Sequence, residues 1–388
     1  MVKTKKFMEL FADETYGELH HSNRYVLDEL NKYDSLITAV EPQKIKVSDY
    51  GETDRSKKTR PLNDYIEHTL EEGPLFRYFL DGTRRTYKIS DISYQQTPFA
   101  VVGGQVSVGC CERINKRSFK PVIKEYNSVL CVPNIASEDG ENPDQWFKEI
   151  LPKINKECKT HQNFQVDKIL AYPSRVLEEG QTYEKRGIAR IHELMVDSEK
   201  KIVVKLASQR LLTDQKYLLK DGSLEYSKRG HGEFLDLVRI KNNFRRVVGV
   251  SKSFNPESLI EKNRSIGDDI ADLPPYHRTP AYKYQSKHTD DQIFFSVWYL
   301  RIRDRYLKMS SPFEGVLKVE KILTTDTEID EGLDTDEVNR ISSNLIVERN
   351  PTTYGKDSRW TNHLYPIYVT ETYVKSQLIS GKFFISTL

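Results

Sequence analysis

Three consecutive β-rich stretches constrain the fold of this chain more than any other feature. They are PLFRYFLDGTRRTYKI (74–89), FAVVGGQVSVGCCERI (99–114) and SFKPVIKEYNSVLCVPN (118–134), and short turn-bearing or polar connections separate them. Runs rich in β-branched and aromatic residues favour strands, and short connections favour antiparallel neighbours. The stretches therefore predict a meander of three antiparallel strands.

Helices and strands alternate after the meander. Apolar residues at helical spacing predict helices over 145–158 and 184–209. The acidic stretch 324–345 should start a helix, and 363–380 should form the last one. Strand-like runs lie at 216–226, 245–254, 293–303 and 315–323, and the final two of these should pair. This mixed order predicts an α/β domain whose partly antiparallel sheet is flanked by helices.

The character of the chain changes at Pro74. Residues 1–74 are polar, with helical spacing over 25–40, and predict a mostly helical N-terminal extension. Residues 75–388 should form the main domain. Within it, 255–273 should begin as a helix, and an exposed insertion is expected near 265–292.

The charges nearly cancel, with 59 Lys+Arg against 57 Asp+Glu and a net charge of +2. Any site for a polyanion must therefore be a local patch. The four cysteines, Cys110, Cys111, Cys131 and Cys158, form no CxxC pair and predict packed, reduced thiols in a cytoplasmic protein. We find no signal peptide and no run of ~18 apolar residues that could span a bilayer.

Two similar strings are the strongest candidates for chemistry. FLDGT (79–83) and LKDGS (219–223) each place Asp-Gly and a hydroxyl residue late in, or just after, an apolar strand. Asp-Gly is also a common turn dipeptide, so two hairpins are the alternative interpretation. The β-like sequence TRRTYKI continues after Asp81, which argues against a turn there. Asp81 and Asp221 are therefore candidate metal ligands.

A two-metal phosphodiesterase needs a further carboxylate from another element. Glu199 lies in the apolar stripe of the predicted helix 184–209, between Met195 and Ile202, so its carboxylate should point at the core. A buried acid is costly unless a metal or a base compensates it, and a buried arginine is the alternative partner. Glu193 lies ~120° away around the helix and should face solvent.

Other polar residues carry weaker signals. Lys252 follows a strand and either contacts phosphate or is simply exposed, and His363 and Glu371 are candidates that could equally be structural or solvated. The acids of 326–337 fit no EF-hand and predict a solvated face. GGQVSVG (103–109) lacks the GK[ST] of a P-loop.

Four strings, taken in order, resemble the NurA nuclease family. They are FLDGTRR (79–85), LLKDGSLEY (218–226), VVGVSKSF (247–254) and HLYPIYVTETYVKSQ (363–377). FFSVWYLRIR (294–303) is similar to the family's late strand, so the resemblance extends over about 76–380. It implies an RNase H-like core and DNA cleavage that depends on Mn²⁺ (or Mg²⁺), with two ions. It also implies a homodimer that works with a HerA-type hexameric ATPase in DNA end processing or anti-phage defence.

Carried onto this chain, the resemblance implies that Asp81, Glu199 and Asp221 bind the metal and that Lys252 acts beside them. Family members usually have Ala-His after the Tyr-Pro of the last motif, and Thr372-Tyr373 stands there in this chain. Glu371 or His363 could replace that histidine as a catalytic residue.

The sequence therefore predicts hydrolysis of DNA phosphodiesters, with Lys252 and either Arg84 or Arg85 steadying phosphates. A non-catalytic DNA-end-binding adaptor of the same kind of complex is the alternative that the altered last motif favours. A third interpretation is an unrelated α/β domain with an accidental resemblance.

Overall fold

A large mixed β-sheet with helices packed against it forms the centre of the protein. The computed structural model describes residues 5–28, 45–47, 49–56, 58–138, 140, 142–158, 164–225, 237–256, 259–261, 264–285, 293–304, 309, 311–349 and 358–388. The predicted α/β class with a mixed sheet flanked by helices is confirmed.

Short elements precede the meander. In chain order they are α1 (Phe7–Glu14), β1 (Glu18–His20), β2 (Tyr25–Val26), β3 (Ile45–Val47), β4 (Asp49–Tyr50), β5 (Arg60–Pro61) and α2 (Asn63–Glu72). The five strands were not predicted, and most of the predicted helix 25–40 lies outside the described residues. This part of the chain is joined to the rest by strand pairing, as described below.

The predicted meander is confirmed. β6 (Phe76–Tyr94), β7 (Thr97–Asn115) and β8 (Ser118–Pro133) pair antiparallel in sequence order. Cys110, Cys111 and Cys131 are buried in these strands, as expected of packed thiols.

Two predicted helices flank a strand that was missed. α3 (Pro143–Glu157) is followed by β9 (Lys168–Tyr172), which pairs parallel with β8, and by α4 (Tyr183–Ser208). Thr182 caps α4, because its side chain accepts a hydrogen bond from the Lys185 backbone N–H. The apolar stripe of α4 buries Ile191, Ile202 and Leu206 against the sheet.

The next strands alternate with short helices. They are β10 (Tyr217–Asp221), α5 (Leu237–Phe244), β11 (Val247–Ser251), β12 (Leu259–Glu261), β13 (Arg264–Ser265), α6 (Gly267–Ala271), β14 (His277–Arg278) and β15 (Tyr282–Gln285). The predicted helix start at 255 is wrong, since strands β12 and β13 occupy that region. The expected exposure of the insertion near 265–292 is also wrong for β14 and β15, which join the main sheet and bury Arg278 and Ala281. Residues 286–292 lie outside the described part of the chain.

The C-terminal part follows the prediction more closely. It contains β16 (Phe294–Arg301), β17 (Val316–Ile322), α7 (Asp326–Glu331), α8 (Thr335–Val347), α9 (Tyr365–Ser376) and α10 (Gly381–Thr387). β16 and β17 pair antiparallel as expected, but α9 is not the last helix. Several acids of 326–337 lie in the first turns of α7 and α8, where Glu328 and Asp334 accept backbone N–H groups.

The order of strands in the sheet is β4-β15-β16-β17-β11-β10-β6-β7-β8-β9. β10 runs parallel to both of its neighbours, β6 and β11, whereas β6, β7 and β8 are antiparallel. One apolar cluster joins this sheet to α4, and a second joins its other face to α8 and to Leu364 and Ile367 at the start of α9. The parallel strands therefore lie between two helical layers.

Three strands from before the meander pair with strands from late in the chain. β3 pairs with β12, β4 with β15, and β5 with β14. The Arg278 guanidinium donates to both carboxylate oxygens of Glu52, at 2.8 and 2.7 Å, and both side chains are fully buried. β4 and β5 therefore join the N-terminal extension to the main sheet, whereas β3 belongs to a separate three-stranded sheet with β12 and β13.

Candidate metal centre

Asp81 and Asp221 lie side by side on two parallel strands. Leu80 of β6 is in register with Lys220 of β10, so the next residue of each strand is the aspartate. β6 continues through Asp81 to Tyr94, and β10 runs parallel to both neighbours. The hairpin interpretation of the two Asp-Gly strings is therefore wrong.

Glu371 reaches the two aspartates from α9. Gly109 of β7 is in register with Asp81, and a Cβ atom at Gly109 would lie 2.7 Å from Val374 Cγ1 of α9. The absence of a side chain at this position lets the helix approach the sheet closely. The approach brings the Glu371 carboxylate to the face on which Asp81 lies.

Asp81, Asp221 and Glu371 each have one carboxylate oxygen that lies within 4.8 Å of the corresponding oxygens of the other two residues. Asp81 is 6% exposed, and the other two acids are half-buried. Crowded, poorly solvated carboxylates repel one another unless a cation neutralises them. Carboxylate oxygens are the ligands that hard divalent cations prefer, so these three residues could hold a metal ion.

One lysine lies within this group of acids. Lys252, directly after β11, places Nζ 2.9 Å from Asp221 Oδ2 and 3.4 Å from Glu371 Oε2. Asn362 holds the backbone here by donating from Nδ2 to the Lys252 carbonyl oxygen at 2.7 Å. Lys375 also pairs with Glu371, at 2.5 Å, so two lysines face three carboxylates. The ionised group keeps a net negative charge that a further cation could neutralise.

The pKa values of Asp81 and Glu371 are shifted in opposite directions. Burial raises the pKa of Asp81 well above its ordinary value, and the nearby charge of Asp221 raises it further. Burial also acts to raise the pKa of Glu371, but the charges of Lys252 and Lys375 outweigh it and lower that pKa. Lys252 itself has a raised pKa, because its carboxylate neighbours outweigh the opposing effect of burial.

Glu199 is buried near the two aspartates but is not one of the three acids whose oxygens lie within 4.8 Å. The helix and burial predictions are confirmed, with Glu199 4% exposed, and its Oε2 pairs with Lys220 Nζ at 3.0 Å. Side chains alternate along a strand, so Lys220 faces α4 while Asp221 faces the opposite layer. Glu371 is therefore the third acid of the carboxylate group, and a role for Glu199 as a metal ligand stays a prediction.

The other predicted residues have varied positions. His363 is 9% exposed and stacks on Trp360, with ring centroids 5.2 Å apart, and its charge contributes to the lowered pKa of Glu371. The ring of Tyr373, where the resembled family has histidine, lies against Gly109. Arg84 bonds to Asp28 Oδ1 at 2.9 Å.

Sequence reasoning missed two residues that shape the site. Lys220 compensates Glu199, and Glu320 of β17 accepts hydrogen bonds from Ser223 Oγ at 2.7 Å and from the Leu224 N–H at 2.9 Å. Glu320 thereby fixes the turn that follows Asp221. Lys220 is a charged residue directly after the apolar run of β10, and that pattern could have identified it. Glu320 has no such signal, because β17 also contains Lys318 and Lys321.

A cleft of about 540 Å³ opens beside the carboxylates, and we call it the acidic cleft. Asp81, Asp221, Lys252 and the Glu199–Lys220 pair line it, together with residues of α4 that include His192 and Glu193. Glu193 is half-buried and pairs with Arg190 at 2.9 Å, so it is less solvated than predicted. Glu371 does not line the cleft, so the cleft gives a ligand access to the carboxylate group through Asp81 and Asp221.

No protein-family model matches the chain, and no curated protein gives a match. The resemblance to the NurA family therefore rests on the strings quoted above. Among the described residues, no helix is long and apolar enough to cross a membrane.

Proposed function

We propose that the protein is a divalent-metal-dependent nuclease that hydrolyses DNA phosphodiester bonds. One observation carries the proposal: Asp81, Asp221 and Glu371, which are far apart in sequence, each place a carboxylate oxygen within 4.8 Å of the other two, and the two aspartates line an open cleft. The raised pKa of Asp81, which burial and the charge of Asp221 cause, is a property that ionisable groups at functional sites often have.

The donor set suits Mn²⁺ or Mg²⁺, since all its ligand atoms are carboxylate oxygens. When bound, two such ions stabilise the negative charge that develops on the phosphodiester oxygens. Asp81 and Asp221 would hold the metal from the strands, and Glu371 from α9. Lys252 is placed to contact a phosphate at the same point, and the Glu199–Lys220 pair supports the strand beneath.

The sheet supports an RNase H-like core as the finer description of the fold. The antiparallel β8-β7-β6 unit is followed by two strands, β10 and β11, that run parallel to β6, with α4 between the two groups in sequence. On the family resemblance alone, we extend the proposal to a homodimer acting with a HerA-type ATPase on DNA ends, in repair or phage defence.

The test is cleavage of labelled single- and double-stranded DNA by the purified protein in Mn²⁺, Mg²⁺ or EDTA. We expect cleavage with a divalent ion and a loss of about 10²-fold or more in Asp81→Asn, Asp221→Asn and Glu371→Gln. Asp326→Asn, in the exposed acidic run, is the matched control and should keep full activity. Wild-type cleavage by Asp81→Asn or Asp221→Asn would overturn the proposal.

The adaptor alternative rests on Thr372-Tyr373, which stands where the family has its histidine. An adaptor would bind DNA ends yet show no metal-dependent cleavage, either alone or with its ATPase. The position of Glu371 beside the aspartates favours the nuclease, because it supplies a third carboxylate from the same helix.

A further inference from the structure

A second cleft adjoins the acidic cleft along α4. It also measures about 540 Å³ and lies between the first turns of α4, the loop after β9 and the start of α3. Glu193 lines both clefts. The two therefore form neighbouring stretches of one surface that follows the helix.

The two clefts differ in charge. The lining of the acidic cleft has six acidic residues and three lysines. The second has two acids, Asp144 and Glu193, against four cations: Arg175, Lys185, Arg186 and Arg190. We call it the basic cleft.

Both acids of the basic cleft pair with the same arginine. Arg190 pairs with Asp144 at 2.5 Å and with Glu193 at 2.9 Å. The Arg186 guanidinium donates to backbone carbonyls, including that of Pro173 at 2.8 Å, so no carboxylate of the lining neutralises it.

The remaining cations are available to a ligand. Lys185 is exposed and bonds to the Gly180 carbonyl oxygen at 3.1 Å. Arg175 is 3.8 Å from Glu178, but both side chains are about 70% exposed, so the pair is weak. A cleft with this surplus of positive charge selects an anion.

We infer that the basic cleft binds the phosphates of the DNA strand whose scissile bond lies in the acidic cleft, an inference that rests on the proposed function. Guanidinium groups match phosphate oxygens in geometry and charge, and lysine adds a mobile point charge. From Lys185 to Glu199 the helix rises about 21 Å at ~1.5 Å per residue. At ~3.4 Å per nucleotide of a stacked strand, this corresponds to about six nucleotides.

The test measures binding without catalysis. In an Asp81→Asn background with EDTA, fluorescence anisotropy gives the Kd of a labelled 12-nucleotide single strand over a series of salt concentrations. Arg175→Glu/Lys185→Glu should weaken binding at least about 10-fold and reduce the salt slope by about 1.4, at ~0.7 for each lost phosphate contact. Lys201→Glu, an exposed residue of α4 that lines neither cleft, is the matched control. Equal Kd and slope for the pair of substitutions and the control would overturn the inference.

A second measurement separates this inference from the proposed function. Cleavage by the otherwise wild-type protein in Mn²⁺ is compared on 3- and 12-nucleotide strands. The charge reversals should slow cleavage of the long strand and leave the short one unchanged. Weaker binding in the charge-reversal variant, with no cleavage by any form of the protein, would support the basic cleft and refute the nuclease. Metal-dependent cleavage that the reversals do not alter on either strand would refute the basic cleft alone.

Discussion

Glu199 and Lys220 form an ion pair that is almost completely buried. Glu199 Oε2 lies 3.0 Å from Lys220 Nζ, and each side chain is 5% exposed. Burial raises the pKa of Glu199, and the charge of Lys220 opposes that effect. Each buried charge is therefore compensated by the other.

Substitution of Lys220 should therefore show how much the burial of the Glu199 carboxylate lowers the free energy of unfolding. Lys220→Met leaves Glu199 buried and uncompensated and should lower the free energy of unfolding by about 3–5 kcal/mol. The double variant Lys220→Met/Glu199→Leu should recover most of the loss. Urea unfolding of the wild type, both single variants and the double variant measures this coupling. Additive effects of the two substitutions would contradict a direct pair.

Asp81 should make the metal-free protein less stable as pH rises. Burial and Asp221 raise its pKa in the folded state, so the associated stability is complete below the unfolded pKa of ~3.9 and is lost as pH rises through the folded pKa. Asp81→Asn cannot ionise and avoids this loss. In EDTA, its Tm should exceed that of the wild type by roughly 1–3 °C at pH 7.5, and the difference should shrink on acidification. A difference that does not change with pH would rule out this account.

At the scale of elements, the position of α9 against the sheet depends on the missing side chain at Gly109 of β7. Gly109→Ala would place a methyl group 2.7 Å from Val374 Cγ1, which must push the helix from the sheet. We expect a loss of about 1–3 kcal/mol in stability and weaker binding of Mn²⁺, because Glu371 moves with the helix. Calorimetric titration with Mn²⁺ and thermal unfolding measure both effects.

Two further variants make the Gly109 experiment specific. Val374→Ala in the same chain should restore part of the metal affinity, since it removes the clashing methyl group. Gly140→Ala, where a Cβ meets nothing within 4 Å, should change neither quantity. Full Mn²⁺ affinity in Gly109→Ala alone would show that the approach of α9 does not position Glu371.

Elements with strong local patterns were predicted, and those that depend on distant partners were not. The long runs of β6, β7 and β8 and the apolar stripe of α4 carry their own signals. The polar, proline-rich stretch around Arg278 predicts an exposed insertion, yet it is buried because Glu52 neutralises the arginine from 226 residues away. Neither residue reveals that pair on its own.

The candidate site was partly predictable for the same reason. Asp81 lies within β6, Asp221 ends β10 and Lys252 directly follows β11, and the order of those strands brings the three residues together. Glu371 was one of several residues that could equally be solvated, because the approach of α9 depends on a glycine in β7. The carboxylate group therefore needed the packing of helix on sheet to be complete.

For the whole molecule, a cation at this site should stabilise the complete fold. The ligands come from β6, β10 and α9, so unfolding of these elements would release the ion. Mn²⁺ at 100 times its Kd should add about 2.7 kcal/mol to the free energy of unfolding. Thermal unfolding with Mn²⁺ and with EDTA measures it. The double variant Asp81→Asn/Asp221→Asn is the control, and an equal effect of Mn²⁺ on it would place the ion elsewhere.

The pairing of β3, β4 and β5 with strands from late in the chain has a consequence for synthesis on the ribosome. At ~5–20 residues per second, Glu52 emerges roughly 10–45 s before Arg278, its partner. During that interval the early segment has a charge to bury and no strand beside it. This edge of the sheet therefore cannot form until the late strands have been synthesised. We expect chaperones, or other newly made copies of the chain, to bind at this edge.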